Sequence, residues 1–244
     1  MKLLTNNMLH NKRSTRNWSL ILDKYDPDIV LAQESLAPEA YRRPLLDEAD
    51  WQCHAVCSPV NSTWGSAVYL RAEVPRQLDL PDYRGWVVGV EVSGTDWLPC
   101  GSKPLRIFSL HAPTGLGQYA TVVNSILDMI EEHRDGCDVV IGGDFNLSVS
   151  ERHPSEERKN KRCNLEIQSR LRNELGLINC WQTMHPNTPL AQTLRWTTNP
   201  SQPYHCDGIF VPAAWSERLM SCDVLSGPEW DEVSDHNPVL AEFA

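Results

Sequence analysis

Asp138-Val-Val-Ile-Gly-Gly-Asp-Phe-Asn-Leu147 is the stretch on which the reading of this chain turns. A short apolar, β-branched run that ends in glycines reads as a buried strand. Two glycines in a row permit close backbone approach or unusual dihedrals, and Asp144 and Asn146 follow at once. In extended backbone, residues two apart face the same way. The Asp144 carboxylate and the Asn146 amide are therefore expected to converge, with Phe145 packing behind them.

Similar apolar runs bounded by turn residues predict further strands at Lys2–Met8, Ile29–Gln33, Ala67–Leu70, Trp86–Val92, Leu105–His111, Val139–Gly142, Gly208–Val211 and Val239–Phe243. Helices are expected at about Thr15–Tyr25, Pro38–Ala49, Tyr119–His133 and Leu165–Leu175. The third carries Val122, Val123, Ile126, Leu127 and Ile130 on one face. Pro27 stops the first helix before the strand at Ile29. Strands and helices mix without strict βαβ alternation, which predicts an α+β layered architecture. No G-x-G-x-x-G, G-x-S-x-G or G-x-x-x-x-G-K-[ST] pattern occurs, which disfavours Rossmann, serine-hydrolase and P-loop chemistry.

The composition sets bounds. At 244 residues with 41% hydrophobic and 22% charged residues, the chain is long enough to bury a real core as one domain, residues 1–244. Acidic residues outnumber basic ones, 32 to 22, for a net charge of −10. That disfavours binding by broad phosphate neutralisation and favours a carboxylate metal site. No run approaches the ~18 apolar residues of a membrane span. Only Leu3 and Leu4 follow Lys2 before polar residues take over, so no secretory leader is read here. Of the eight cysteines only Cys53 and Cys57 are clustered, a poor zinc pattern. Reduced thiols and a cytoplasmic protein are expected.

Polar residues gather where the predicted strands end. Asn6 and Asn7 close the first strand, and Glu34 ends the second, where a carboxylate is costly to bury without a cation or hydrogen-bond partners. His111 follows a strand and precedes Pro113, so it is expected on a loop at the sheet edge. Asp207 enters another apolar strand and is placed to orient a histidine. Asp235 and His236 are adjacent, and both reach one site only from a loop, which Pro238 supports. Glu34, Asp144 and Asp235, with the Asn7 and Asn146 amides, are oxygen donors that suit Mg²⁺ or Mn²⁺ rather than zinc. A hard cation beside an imidazole is equipment for phosphoryl transfer.

In order along the chain, Thr5-Asn-Asn-Met8, Ala32-Gln-Glu-Ser35, Thr63-Trp-Gly-Ser-Ala-Val68, Ser109-Leu-His-Ala-Pro-Thr114, Gly142-Gly-Asp-Phe-Asn-Leu147, Tyr204-His-Cys-Asp-Gly-Ile-Phe-Val211 and Ser234-Asp-His-Asn-Pro-Val239 resemble the endonuclease/exonuclease/phosphatase superfamily. The resemblance implies a four-layer α/β/β/α sandwich of two packed mixed sheets flanked by helices. It implies metal ligands at Asn7, Glu34 and Asp235, and catalytic roles for His111, Asp144, Asn146, Asp207 and His236. Within it, Asp144 would activate water, Asn146 would hold phosphate, and Asp207 would pair with His236. Two positions depart from the pattern: Asn6 stands where tryptophan is common, and Gly208 where a bulky residue is usual.

The implied reaction is Mg²⁺- or Mn²⁺-dependent hydrolysis of a phosphodiester by in-line water attack. DNA or RNA is the first substrate choice, with a small nucleotide or a lipid or inositol phosphate as the alternative. The locally basic segment Arg152–Arg162, with Arg158 and Lys159, is placed to grip a backbone. Trp196 is a candidate for base stacking. A catalytically silent binding module on the same fold would have lost a ligand, and all the expected groups are present. A monomer is expected.

Overall fold

The computed structural model describes residues 1–10, 14–36, 54–60, 63–71, 74–93, 103–195 and 204–244. The helix expected at 38–49, Cys53 and Trp196 lie outside the described residues.

Two six-stranded sheets form the centre. The first contains, in spatial order, β11 (Leu219–Val224), β12 (Val239–Phe243), β1 (Lys2–Asn7), β2 (Ile29–Leu36), β4 (Trp64–Leu70) and β3 (His54–Pro59). The second contains β5 (Arg76–Gln77), β6 (Val87–Val92), β7 (Leu105–His111), β8 (Asp138–Asp144), β10 (Asp207–Pro212) and β9 (Leu177–Asn179). Both are mixed, with β1–β2 and β7–β8 parallel and the neighbouring pairs antiparallel. Short helices are α1 (Ser14–Lys24), α2 (Tyr119–Glu132), α3 (Arg162–Asn173), α4 (Cys180–Met184) and α5 (Pro228–Asp231).

The period-two alternation of each strand assigns its side chains to one of two cores. Leu3, Ile29, Leu31, Ile107, Val140, Ile209 and Val211 meet between the sheets. Their chain neighbours point outward. Leu4, Val30 and Ala32 pack with Trp18 and Ile21 of α1. Phe108, Leu110, Ile141 and Phe210 pack with Val123, Ile126 and Ile130 of α2 and Ile167 and Leu171 of α3. Strands buried on both faces need continuous apolar runs, which is how the sequence reads. The four-layer arrangement agrees with the expectation.

Several bounds differ. β8 runs on through Asp144, β2 through Leu36, and α3 begins at Arg162 rather than Leu165. β3, β5, β9 and β11 have no predicted counterpart. β5 and β9 are only two and three residues long, too short for alternation to register, and β11 is an edge strand with four of its six residues exposed or half-exposed. Among the described residues no helix is long and apolar enough to cross a membrane.

The paired glycines bring the sheets together at the strand ends. A Cβ on Gly142 would lie 2.5 Å from Leu31 Cδ1 of the opposite sheet. Gly143 has φ +152°, and a Cβ there would meet the Leu110 carbonyl oxygen at 1.8 Å. Gly143→Ala is therefore expected to destabilise the fold by at least about 3 kcal/mol, through backbone displacement. Thermal unfolding should show a Tm lower by roughly 6–12 °C for a domain of this size.

Candidate active site

Alternation points Thr5 and Asn7 of β1, His111 of β7, Asp144 of β8 and Asp207 of β10 toward the space between the sheets, all at strand ends. Sheet register lines up three of them, since His111 pairs with Asp144 and Asp144 with Asp207 across neighbouring strands. His111 is thus the last residue of an interior strand, buried, and not on a loop at the sheet edge.

Glu34 reaches the same space by a different device. Regular alternation would send it outward with Val30 and Ala32. A register shift between Ala32 and Ser35 interrupts the β2–β4 ladder, and Glu34 takes φ +47°. Left-handed backbone at a bulge redirects the side chain. Its Oε1 lies 3.4 Å from Asn7 Nδ2 and 3.9 Å from His111 Nε2. Its other oxygen is paired with His10 Nδ1, and the His10 ring stacks on Trp64 with centroids 4.9 Å apart.

Asp144 is at the centre. Its Oδ2 accepts from Asn7 Nδ2 at 3.1 Å and lies 3.7 Å from His236 Nε2 and 3.9 Å from His111 Nε2. Its Oδ1 accepts from Asn146 N at 2.8 Å. Asn146 has φ +52°, so the chain turns here instead of staying extended, and the amide reaches Ala112 O at 2.9 Å. The expectation that Asp144 and Asn146 share a strand face fails because the aspartate side chain bonds the backbone two residues on and closes a turn.

Asp235 and His236 lie on the loop before β12, and the loop brings both to the site. His236 Nδ1 sits 3.1 and 3.0 Å from the two oxygens of Asp207, and its Nε2 lies 4.0 Å from Asp235 Oδ1. Burial disfavours the imidazolium, but the Asp207 and Asp144 carboxylates outweigh it and raise the His236 pKa to about 10. Burial, with Cys206 and Asp144 nearby, pushes the Tyr204 phenol up, so it stays a neutral donor, and its hydroxyl bonds Asn146 O at 2.8 Å.

Several residues that build the site were not read from the sequence. Thr193 Oγ1 accepts from the backbone N–H groups of Cys206 and Asp207 at 2.9 and 3.1 Å. Ser234 Oγ donates to Asn7 O at 2.7 Å and accepts from His236 N at 3.0 Å. Beneath the site, Gln33 Nε2 donates to Ser109 Oγ at 3.0 Å, joining the two sheets. Ser234, Tyr204 and Gln33 stand inside motifs and carried that much signal; Thr193 carried none. The two departures also have reasons. Asn6 donates to Asn17 Oδ1 of α1 at 2.7 Å, and a Cβ on Gly208 would already touch Val149 at 3.0 Å.

Among the described residues, the potential metal-ligating atoms that converge within 4.8 Å of one another belong to Asp144, Cys206, Asp207 and His236. Neither Glu34 nor Asp235 is in that group. Asp235 Oδ1 is nonetheless buried without a hydrogen-bond partner, as an oxygen reserved for a cation would be. Asn7 Oδ1 accepts from Leu9 N at 3.1 Å, and its nitrogen turns to the carboxylates. Next to Asn146 opens a cavity of about 280 Å³ whose lining includes Tyr119, Arg152, Lys159, Lys161, Asn164 and Tyr204. Arg158 does not line it.

A sequence profile of the endonuclease/exonuclease/phosphatase family matches residues 5–236, and the chain belongs to that family. Members hydrolyse phosphoester bonds with the help of a metal, and the buried carboxylates and imidazole fit that class. The fold is similar to a variant of the 3′ phosphatase NExo from Neisseria bound to product DNA hairpin, at 20% identity and TM-score 0.73, covering 100% of this chain and 99% of that one. An AP endonuclease from Archaeoglobus fulgidus follows at 19% identity and TM-score 0.69, covering 100% and 99%. AP endonuclease LMAP from Leishmania major shares 15% identity at TM-score 0.69, covering 99% and 87%. No curated protein matches the chain by sequence.

The raised His236 pKa has a consequence for stability. The native state holds a proton that the unfolded chain releases near pH 6.5, so this contribution is complete below that pH and is lost as pH rises toward about 10. Asp207→Asn removes the carboxylate that raises it most. Denaturant melts at pH 6, 8 and 10 are expected to show a smaller alkaline loss in this variant than in the parent protein.

Proposed function

We propose that this chain is a Mg²⁺- or Mn²⁺-dependent nuclease, one catalytic unit over residues 1–244, that hydrolyses phosphodiester bonds in nucleic acid, DNA foremost. The observation that carries the reading is that Asp144, of the buried Asp144–His236–Asp207 group, is one hydrogen bond from Asn146, which lines a cavity whose wall also bears Arg152, Lys159 and Lys161. Lys161 has no ion-pair partner among the described residues, and local cations attract a polyanion despite a net charge of −10. The DNA-hairpin complex and the AP endonuclease among the structural neighbours support the same substrate class. The net charge favours a second reading, a small soluble phosphodiester. Six free cysteines among the described residues support a reducing, cytoplasmic setting. All the proposed catalytic groups come from one chain, so a monomer suffices.

In this reading Glu34 and Asp235 hold the cation, with Asn7 fixing Glu34 and Asp144 relative to each other. Mg²⁺ keeps several waters and needs only one or two carboxylates, so a tight protein cage is not required. When bound, the cation neutralises charge on the phosphate and polarises its oxygens. Asp144 Oδ2 orients the attacking water and accepts its proton as the new oxygen–phosphorus bond forms. His236, charged and braced by Asp207, presents Nε2 to the phosphate oxygens as the bond to the leaving oxygen breaks. Asn146 and His111 contribute donors to the same phosphate.

Turnover should be measured on single-stranded DNA, RNA, abasic duplex, a dinucleotide and a lipid phosphate, with and without Mg²⁺ or Mn²⁺. Metal-dependent cleavage of the nucleic acids is expected, and Asp144→Asn or His236→Ala should lower kcat by roughly 10³-fold or more, as loss of a transition-state group does. Cleavage confined to the dinucleotide or the lipid arm would refute the nuclease. The cavity cations are tested separately. Lys159→Ala with Lys161→Ala should weaken single-stranded DNA binding and reduce its salt slope by about 1.4.

A further inference from the structure

The loop that carries His236 belongs to neither sheet, so something else must hold it against Asp207. The backbone of residues 192–195 does so on one side. Leu194 bridges both Tyr204 and His236. Arg195 N donates to Asp235 O at 2.8 Å, and Asn237 N donates to Thr193 O at 2.7 Å. The same segment fixes the other half of the pair, because Thr193 Oγ1 accepts from the Cys206 and Asp207 amides. One short run of chain therefore grips both partners of the Asp207–His236 contact.

We infer that Arg195 is a positioning residue for phosphoester hydrolysis. Its guanidinium, only 17% exposed, donates to Asn237 Oδ1 through Nη1 and to Ser234 O and Trp230 O through Nη2, the last at 3.3 Å. Nε faces Asp231 Oδ1 at 3.2 Å. These acceptors lie on both sides of Asp235 and His236 in the chain, so a single planar fork brackets the catalytic pair. A lysine, with one nitrogen on a flexible stem, cannot reach all of them at once. Arg195 contacts none of the proposed reacting groups with its side chain and acts only through the loop it holds. The role rests on the proposed function of His236. Its physical basis is that small misplacements of a catalytic group cost about 10²-fold in rate.

The experiment pairs steady-state kinetics on single-stranded DNA with ¹H–¹⁵N spectra of the His236 imidazole in metal-free, full-length protein. Arg195→Ala is expected to lower kcat about 10- to 100-fold with KM within about twofold, and to broaden or shift the His236 ring signals. Arg195→Lys should recover part of both, while Arg76→Ala, on the edge strand β5 with its side chain 63% exposed, should change neither. Unchanged kcat or unchanged ring signals in Arg195→Ala would overturn the assignment. If that variant does not fold, Arg195→Lys decides: parent-like kcat and spectra overturn it, and intermediate values uphold it. If the parent protein cleaves nothing, the nuclease reading fails. The imidazole spectra then still judge the clasp on their own.

Discussion

Two carboxylates and an imidazole are shut away from water at one end of the sandwich, and the site depends on how that charge is answered. Asp144 and Asp207 are each about 1% exposed. Left alone, neighbouring buried anions would be strongly unfavourable. His236 lies between them, with Nδ1 against Asp207 and Nε2 facing Asp144, and the two anions hold its proton to about pH 10. The arrangement that stabilises the fold thus also readies a cationic group for a phosphate. Structure and chemistry draw on one electrostatic balance.

That balance requires the two sheets to come close at their strand ends, and small residues allow it. Gly142 admits Leu31 from the facing sheet, while Gly143 lets β8 pass the Leu110 carbonyl. Below, Gln33 and Ser109 join the sheets through polar contacts, with Ser109 Oγ donating to Ala32 O at 2.9 Å. Buried polar groups satisfied in this way specify one register of the sandwich, since any slip would leave them unpaired. The loops complete what the strands begin. Ser234 ties the His236 loop to the first strand, and Arg195 closes it from the side of α5.

An acidic protein with a cation-lined cavity beside Asn146 separates global from local electrostatics. Glu156 answers part of the charge of Arg152 and Lys159, leaving Lys161 as the cation without a partner among the described residues of that wall. A surface of this kind attracts anions at one mouth and repels them elsewhere.

Much of this was legible in the chain itself. Alternation puts Asp144 and Asp207 on the same strand faces as Val140 and Ile209, but both faces of these strands are apolar, so only the packed sheets show which face is inner, and His111, expected on an edge loop, joins them there. Order and spacing of the motifs point to the family. Glu34 was legible as a residue, but not the way it arrives, because a bulge and a positive φ override the alternation that local sequence can express. Asn146 likewise turns where extension was expected. Thr193 and Arg195 left no local mark at all, since their partners lie 11 to 44 residues away and exist as partners only once β10 and the last loop are in place. Sequence by itself determined the layered architecture, the carboxylates at strand ends and the pairing of Asp207 with His236. Tertiary structure alone decided the bulge, the turn and the clasp, because each is set by contacts between segments that no local periodicity connects.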